Sequence, residues 1–269
     1  MSKQRLDILL VDKNLCSSRR EAQGFIRAGE VKVHQQVIDK PGTKVDITAD
    51  IQLQAKARYV SRGGFKLEKA INTFNIVVSE RICLDGGIST GGFTDCLLQA
   101  GATQIYGVDV GYGQVAWRLR RDERVILKER TNFRYLTPND LYGDSPQADL
   151  GVMDVSFISL TKLLEPLWNL LVVSKEVILL VKPQFEVGRS RVGKKGVVRN
   201  PKDHAQAIDQ VLQAACSLGW YYHGLTESPI TGPAGNVEYL LWLRCDQYKE
   251  SPQLQNLEDF TRSILNRLA

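Results

Sequence analysis

Five short apolar runs, at 82–84, 105–108, 125–127, 150–153 and 177–181, recur along the middle of this 269-residue chain, with helical patterns between them. That rhythm predicts an α/β fold, a doubly wound and mostly parallel sheet, over residues 66–245. Ligands of such sheets bind beyond the carboxyl ends of the strands, so the polar residues that end each run are the ones to read.

The first run leads straight into Asp85-Gly86-Gly87-Ile88-Ser89-Thr90-Gly91-Gly92-Phe93, and an apolar pattern at helical spacing follows (Phe93, Cys96, Leu97, Ala100). Glycines at a strand-to-helix turn let a ligand approach the backbone, and the helix start offers free N–H groups. The order differs from Gly-x-Gly-x-x-Gly and lacks the Gly-Lys-Ser/Thr of a phosphate loop. Asp109 ends the second run, roughly 20 residues past the glycines, where an acid suits an unphosphorylated ribose diol. That fits NAD and S-adenosylmethionine equally. Asn132 follows the third run and is placed to read an adenine edge. Asp154 and Lys182 end the fourth and fifth. A lone strand-end Asp is often a helix cap, but an acid and a lysine ending consecutive strands can face one crevice.

Charge is unevenly placed. Residues 1–64 hold twelve Lys/Arg against seven Asp/Glu, which accounts for the whole net charge of +5. A basic module ahead of a neutral body suggests a polyanion-binding domain on a catalytic one. A second basic stretch, 182–202, holds seven Lys/Arg against Glu186 alone, with Gly188, Gly193 and Gly196 between them. It reads as a mobile loop whose Arg189, Arg191, Lys194 and Lys195 clamp RNA phosphates and order on binding. The five cysteines (16, 83, 96, 216, 245) are scattered without Cys-x-x-Cys, which points to buried free thiols in a reducing cytoplasm and to no metal site. No run is apolar enough for a signal peptide or a membrane span.

The front module, 1–57, shows two helices and a small sheet. Leu6, Leu9 and Leu10 lie at helical spacing, Ser18 with Glu21 fits a capping box, and Ala22, Phe25 and Ile26 make a second apolar face ending at Gly29. Alternating runs at 31–33 and 45–53 read as strands, with Pro41-Gly42 as a turn. Arg5-Leu6-Asp7, Ser18-Arg19-Arg20-Glu21-Ala22, Gly29-x-Val31-x-Val33 and Lys40-Pro41-Gly42 resemble the RNA-binding domain named after ribosomal protein S four. That family usually has Asn-Gly after the valine; His34-Gln35 here argues against a tight two-residue turn, not against the fold. The resemblance implies that Arg5, Arg19, Arg20 and Lys32 grip structured RNA by phosphate and shape. Residues 58–65 read as a hinge in which Arg58 and Arg62 add charge and Gly63 and Gly64 add freedom.

The glycine loop itself resembles the S-adenosylmethionine loop of class I methyltransferases. Asp85-Gly86-Gly87 departs from it in the middle position, often a branched residue, so the extra glycine is expected to loosen the loop slightly. Lys69 points off the stripe formed by Leu67, Ile71 and Phe74, and Glu238 opens a final strand at 238–243. The order Lys69, Asp154, Lys182, Glu238 resembles the tetrad of FtsJ-type ribose 2′-O-methyltransferases. The wider match is to the TlyA family, carried by Tyr59-Val60-Ser61-Arg62-Gly63-Gly64, Val108-Asp109-Val110-Gly111-Tyr112-Gly113, Glu129-Arg130-Thr131-Asn132, Asp154-Val155-Ser156-Phe157, Lys182-Pro183-Gln184-Phe185-Glu186 and Lys195-Gly196-Val197-Val198. Members of that family bear the label haemolysin and act on ribosomal RNA.

The resemblance implies an rRNA (cytidine-2′-O)-methyltransferase using S-adenosylmethionine bound by Asp85, Gly87, Ser89, Thr90, Gly91, Gly92, Phe93, Asp109 and Asn132. It implies a Rossmann-like catalytic domain at 66–245. Large-subunit RNA is the implied substrate. Small-subunit RNA joins it in the longer members, toward which this chain's length leans. Lys182 is expected nearest the ribose hydroxyl, as base or as stabiliser of the alkoxide. Asp154 would hold it, and Glu238 would orient Lys69 or the ribose. Ribosomal RNA or subunits are the expected partners, with no membrane, no metal, and oligomeric state open. A dinucleotide oxidoreductase, a membrane-active haemolysin and a non-catalytic RNA-binding protein are the alternatives. The tail, 246–269, carries Leu254, Leu257, Phe260, Ile264 and Leu268 as an amphipathic helix packed on the body.

Overall fold

A computed structural model describes residues 3–27, 29–53, 58–172, 174–245 and 257–268. They form two compact units, Met1–Arg58 and Tyr59–Ala269.

In the first unit, β1 (Lys3–Arg5) leads into α1 (Leu6–Asp12) and α2 (Arg19–Arg27). Then come β2 (Val31–Val33), β3 (Gln36–Val37), β4 (Lys44–Asp46) and β5 (Ile51–Leu53). Leu6, Leu9, Leu10, Ala22, Ile26, Val31 and Val45 fill one core, the residues that the helical and alternating periods select. Ser18 Oγ accepts the Glu21 N–H at 3.2 Å, and Glu21 Oε2 takes the Ser17 N–H at 2.7 Å, one residue earlier than a reciprocal box requires. Two expectations change. The run 45–53 is two strands: β4 pairs with β1, while β5 pairs with β2. The break comes at Asp46, whose carboxylate accepts the Thr48 N–H at 2.9 Å and turns the chain. The β2–β3 connection is a tight two-residue turn after all, with Val33 opposite Gln36. His34 (φ 48°) and Gln35 (φ 67°) both adopt the left-handed conformation that such a turn demands.

In the second unit, α3 (Gly63–Phe74) precedes β6 (Ile82–Gly86), α4 (Gly92–Gln99), β7 (Gln104–Val108), α5 (Trp117–Arg120) and β8 (Val125–Lys128). The chain continues through α6 (Pro138–Tyr142), β9 (Leu150–Met153), α7 (Leu164–Leu170), β10 (Glu176–Val181) and α8 (Pro183–Glu186). It ends with α9 (Pro201–Cys216), β11 (Tyr221–Glu227), β12 (Tyr239–Arg244) and α10 (Leu257–Leu268). Among the described residues seven strands make one sheet in the order β11-β12-β10-β9-β6-β7-β8. β6 to β10 run parallel, and β12 lies antiparallel between β10 and β11. The sheet is buried on both faces. Val177, Leu179 and Val181 of β10 enter one core and Ile178 and Leu180 the other, which is why these strands read as unbroken apolar runs.

The tail helix α10 packs on this unit through Ile264 (1 % exposed) and Thr261, whose Oγ donates to the Pro201 carbonyl at 2.9 Å. Leu254 and the side chains of Leu257 and Leu268 lie outside the described residues. Residues 59–65, read above as a hinge, pack here as well. Tyr59 is buried, the Val60 N–H donates to Asp95 Oδ2 at 2.7 Å, and α3 already begins at Gly63. Cys16, Cys83 and Cys96 are buried free thiols, whereas Cys216 is exposed at the last residue of α9.

Candidate active site

The chain builds outward from β6 to β7 and β8, then returns to the other side of β6 with β9. A crevice opens above the carboxyl ends at such a reversal. The first residue beyond β6 is Gly87, at φ +85°, and a Cβ there would stand 2.7 Å from the Asp154 carbonyl oxygen. Only glycine fits both the conformation and the space. Gly86 does not loosen the loop as expected. A Cβ on it would meet Met153 Cε at 2.7 Å and the Phe133 ring at 3.1 Å, so neighbouring side chains already fill that space.

Asp109, just past β7, ties two loops together. Its Oδ2 accepts the Ser89 N–H at 2.8 Å and its Oδ1 the Gly111 N–H at 2.7 Å. A carboxylate so held keeps lone pairs for a ribose diol. Asn132 uses its Oδ1 to cap a short turn, accepting the Arg134 N–H at 3.1 Å, which leaves its amide N–H groups for a ligand.

Two cavities meet here. One, of about 230 Å³, is lined by Ser89, Thr90, Gly92, Phe93, Arg62, Lys66 and Asp154, with Ile230, Thr231 and Pro233 among the remaining wall residues. The other, of about 500 Å³, is lined by Asp109, Asn132, Phe133, Asp154, Ser156 and Phe157 among others. They share Gly87, Ser89 and Asp154. A concavity of this size, mixed in polarity, suits a nucleoside-type ligand. Asp85 and Gly91 line neither cavity. Asp85 lies fully buried beneath the loop, with Oδ2 accepting from Thr94 Oγ1 at 2.6 Å and Oδ1 without a partner among the described residues. Burial pushes this carboxyl up to about 7, against the pull of the Thr94 hydrogen bond and with help from the nearby Asp154 carboxylate.

Asp154, which lines both cavities, belongs to a line of alternating charges; Lys66 lines only the smaller cavity, and Lys182 and Glu238 lie behind the lining. Lys182 Nζ lies 2.6 Å from Asp154 Oδ1 and donates to Ser156 Oγ at 3.0 Å. Asp154 Oδ2 is 3.9 Å from Lys66 Nζ, which donates to Glu238 Oε2 at 2.5 Å. Two cations and two anions compensate one another where each alone would be costly to bury. β12 runs antiparallel with Val181 opposite Tyr239, so Glu238, just before β12, meets the rim where β9 and β10 end.

Lys69 is not in this group, and Lys66 takes the position expected of it. The buried face of α3 is Gly64, Lys66, Leu67 and Ala70, whereas Lys69 is exposed. Lys66 sits four residues before Ala70 and so shares its face. The site lysine therefore lies on the edge of the apolar stripe rather than off it. Ser156 and Phe157 were also missed, although both belong to the Asp154-Val155-Ser156-Phe157 motif. Phe157 is 92 % exposed at φ +66°, an unusual conformation for a bulky residue, with its ring 5.3 Å from that of Phe185.

The basic residues divide by surroundings. Arg5 and Arg19 converge on buried Asp7, at 3.0 and 2.9 Å, and with Gln23 they hold its carboxyl far below the usual range, Arg5 most strongly. Arg20 is exposed and Lys32 half-buried, and among the described residues neither has a carboxylate partner. Arg58 and Arg62 are exposed. Arg189, Arg191, Lys194 and Lys195 are exposed on a segment with its own frame, in which the Gly193 N–H donates to the Val197 carbonyl at 3.1 Å and Val198 is buried. Among the described residues no three His, Cys, Asp or Glu side chains gather as a metal site would need.

Comparison with known proteins places these features in a family. Residues 59–245 match the model of the FtsJ-like methyltransferases, and residues 4–51 match the S4 domain. A Bacillus subtilis (strain 168) protein provisionally named rRNA methyltransferase YqxC is 51 % identical over 90 % of this chain and 85 % of its own. The Mycobacterium tuberculosis (strain ATCC 25618 / H37Rv) protein named 16S/23S rRNA (cytidine-2'-O)-methyltransferase TlyA is 44 % identical over 95 % of this chain and 94 % of its own. A solved structure from Streptococcus thermophilus, described as a presumed hemolysin, superposes with TM-score 0.75 at 39 % identity, covering 100 % of this chain and 98 % of the other. With its switch-point crevice, its lysine–carboxylate line and its basic front unit, the chain belongs to the FtsJ-like methyltransferase family, with an S4 domain ahead of the catalytic one.

Proposed function

We propose that the protein methylates the ribose 2′-oxygen of a cytidine in ribosomal RNA, in the large subunit and also in the small, using S-adenosylmethionine, and that it works in the cytoplasm. The observation that carries this is the line Glu238–Lys66–Asp154–Lys182, which meets both cavities at Asp154. The name of the Mycobacterium tuberculosis relative supplies the cytidine and the two subunits.

Gly87, Ser89, Asp109 and Asn132 would hold the cofactor, and the fit rests on the two cavities that meet at Gly87 and the free lone pairs of Asp109. When bound it supplies an electrophilic methyl group on a sulfonium. The residues have two tasks: to align the ribose and to manage one proton. Lys182 carries three N–H donors as an ammonium; Asp154 and Ser156 take two, and one is left for the 2′-oxygen. In that form it stabilises the alkoxide, and as a neutral amine it accepts the proton. Asp154 fixes Lys182, while Glu238 fixes Lys66 beside the ribose. Phe157, exposed at the rim, offers a ring on which a base can stack.

The test is transfer of labelled methyl from S-adenosylmethionine to purified ribosomal subunits, followed by mapping of 2′-O-methyl positions. Lys182→Ala should abolish transfer while calorimetric affinity for the cofactor stays within about threefold. Near-normal turnover by that variant would remove the role. The hemolysin name of a relative suggests membrane activity, yet no helix among the described residues is long and apolar enough to cross a membrane. Leakage of liposomes by pure protein would favour that second reading.

A further inference from the structure

We propose that Asn236 is a positioning residue that couples the basic segment 188–199 to Glu238, so that RNA held on the segment sets the active-site carboxylate. The coupling rests on the RNA-methylation reading above. Asn236 is 1 % exposed, and its side chain is committed to the segment at both ends. Its Oδ1 accepts the Val198 N–H at 3.0 Å, and its Nδ2 donates to the Gly196 carbonyl at 2.8 Å. Val198 is held at its other backbone group as well, because its carbonyl lies 3.0 Å from His204 Nε2. A carbonyl only accepts, so Nε2 carries the proton, and Nδ1 accepts from Tyr239 Oη at 2.9 Å.

Asn236 therefore reaches the segment directly and Tyr239 reaches it through His204, and the two bracket Glu238. Glu238 in turn pairs with Lys66, and its main-chain carbonyl accepts the Ser228 N–H at 2.8 Å. Immediately before these anchors, exposed Lys194 and Lys195 form the tip of a turn closed by a Gly196 N–H to Gly193 carbonyl bond of 2.8 Å. A phosphate drawn to that tip would pull on the Gly196–Val198 backbone. Asn236 and the His204–Tyr239 pair pass that displacement to the residues beside Glu238. A buried, fully satisfied polar network is stiff enough to do so.

The test is a double-mutant cycle on the full-length protein with ribosomal subunits as substrate. Asn236→Asp keeps the acceptor for Val198 and replaces the donor to Gly196 with a second acceptor. Alone it should lower kcat by about tenfold while cofactor affinity, which reports folding, stays within about twofold. The pair Lys194→Ala, Lys195→Ala should cost about tenfold in kcat/KM in the wild-type background but under about threefold beside Asn236→Asp. Losses that multiply, an unchanged kcat for Asn236→Asp, or no effect of removing the two lysines would each overturn the coupling. A merely structural asparagine gives multiplied losses. A wild-type protein that methylates no ribosomal RNA defeats the functional reading instead, so the two failures are distinct.

Discussion

Lys66 and Asp85 are charged residues buried by neighbouring elements, and each pays a desolvation cost that its partners offset to a different degree. Lys66 is compensated by Glu238 at 2.5 Å and Asp154 at 3.9 Å. Lys66→Ala leaves Glu238 buried and unpaired, so methyl transfer should fall by at least about a hundredfold, with a loss of stability. Lys69→Ala removes an exposed side chain and should stay within about threefold in the same assay. Equal effects of the two would contradict the geometry. Asp85 has one oxygen bonded and one bare. Its folded-state value, about 7, lies above the ordinary carboxylate value, so the folded protein binds the proton more tightly than the unfolded chain does. That contribution to stability is complete below about pH 4 and is lost as pH rises through 7. Asp85→Asn, which never ionises, should therefore gain on the wild type by up to roughly 1.4 kcal/mol per pH unit across that window. Denaturant melts of both proteins from pH 5 to pH 8 check this, and a constant gap would refute it.

At the scale of elements, the two loops that end β9 and β10 carry Asp154 and Lys182 and are bolted together by Glu186. Its Oε2 accepts from Ser159 Oγ at 2.6 Å and its Oε1 from the Leu160 N–H at 2.9 Å, and burial pushes its carboxyl up. Glu186→Ala removes both acceptors and leaves the buried Leu160 N–H without its partner. The cost should be about 1–3 kcal/mol in a denaturant melt, and cofactor affinity should weaken because Ser156 and Phe157 ride on the loop. No change in either measurement would show that the bolt is dispensable. The sequence revealed these strands because a strand covered on both faces must be apolar throughout. It did not reveal β11, an edge strand whose Tyr221 is exposed and which carries a bulge between Tyr222 and Gly224, so it lacks any such run. The run 45–53 alternates correctly, yet Asp46 breaks it, since a side-chain turn competes with the ladder. Of the candidate site, Asp109, Asp154 and Lys182 were legible as strand-end polar residues. Lys66 was not, because a lysine on a buried helix edge looks from sequence like a member of the wet face.

Over the whole molecule, four of the five excess positive charges fall within the first compact unit and the lysine–carboxylate line lies in the other, joined by a single chain. Under the proposed function, two RNA-binding surfaces so tethered would raise each other's effective concentration on one ribosomal subunit, provided both can engage at once. The arginines of the first unit will not contribute alike. Arg5 and Arg19 neutralise buried Asp7, so their removal leaves an uncompensated carboxylate and unsettles the unit itself. Arg20 has no carboxylate partner among the described residues, and its loss touches only what binds from outside. Binding to an rRNA fragment measured across a range of salt concentrations separates the two cases. Arg20→Ala should weaken affinity several-fold and reduce the slope of log K against log salt by about 0.7–0.9 for the one phosphate released, with the melting curve of the protein unmoved. Arg19→Ala should lower the melting temperature first, and more so at neutral pH than in acid. The Asp7 carboxyl is held below its unfolded value, so its contribution is present above about pH 4 and lost as pH falls. An unchanged salt slope for Arg20→Ala would take that residue off the RNA.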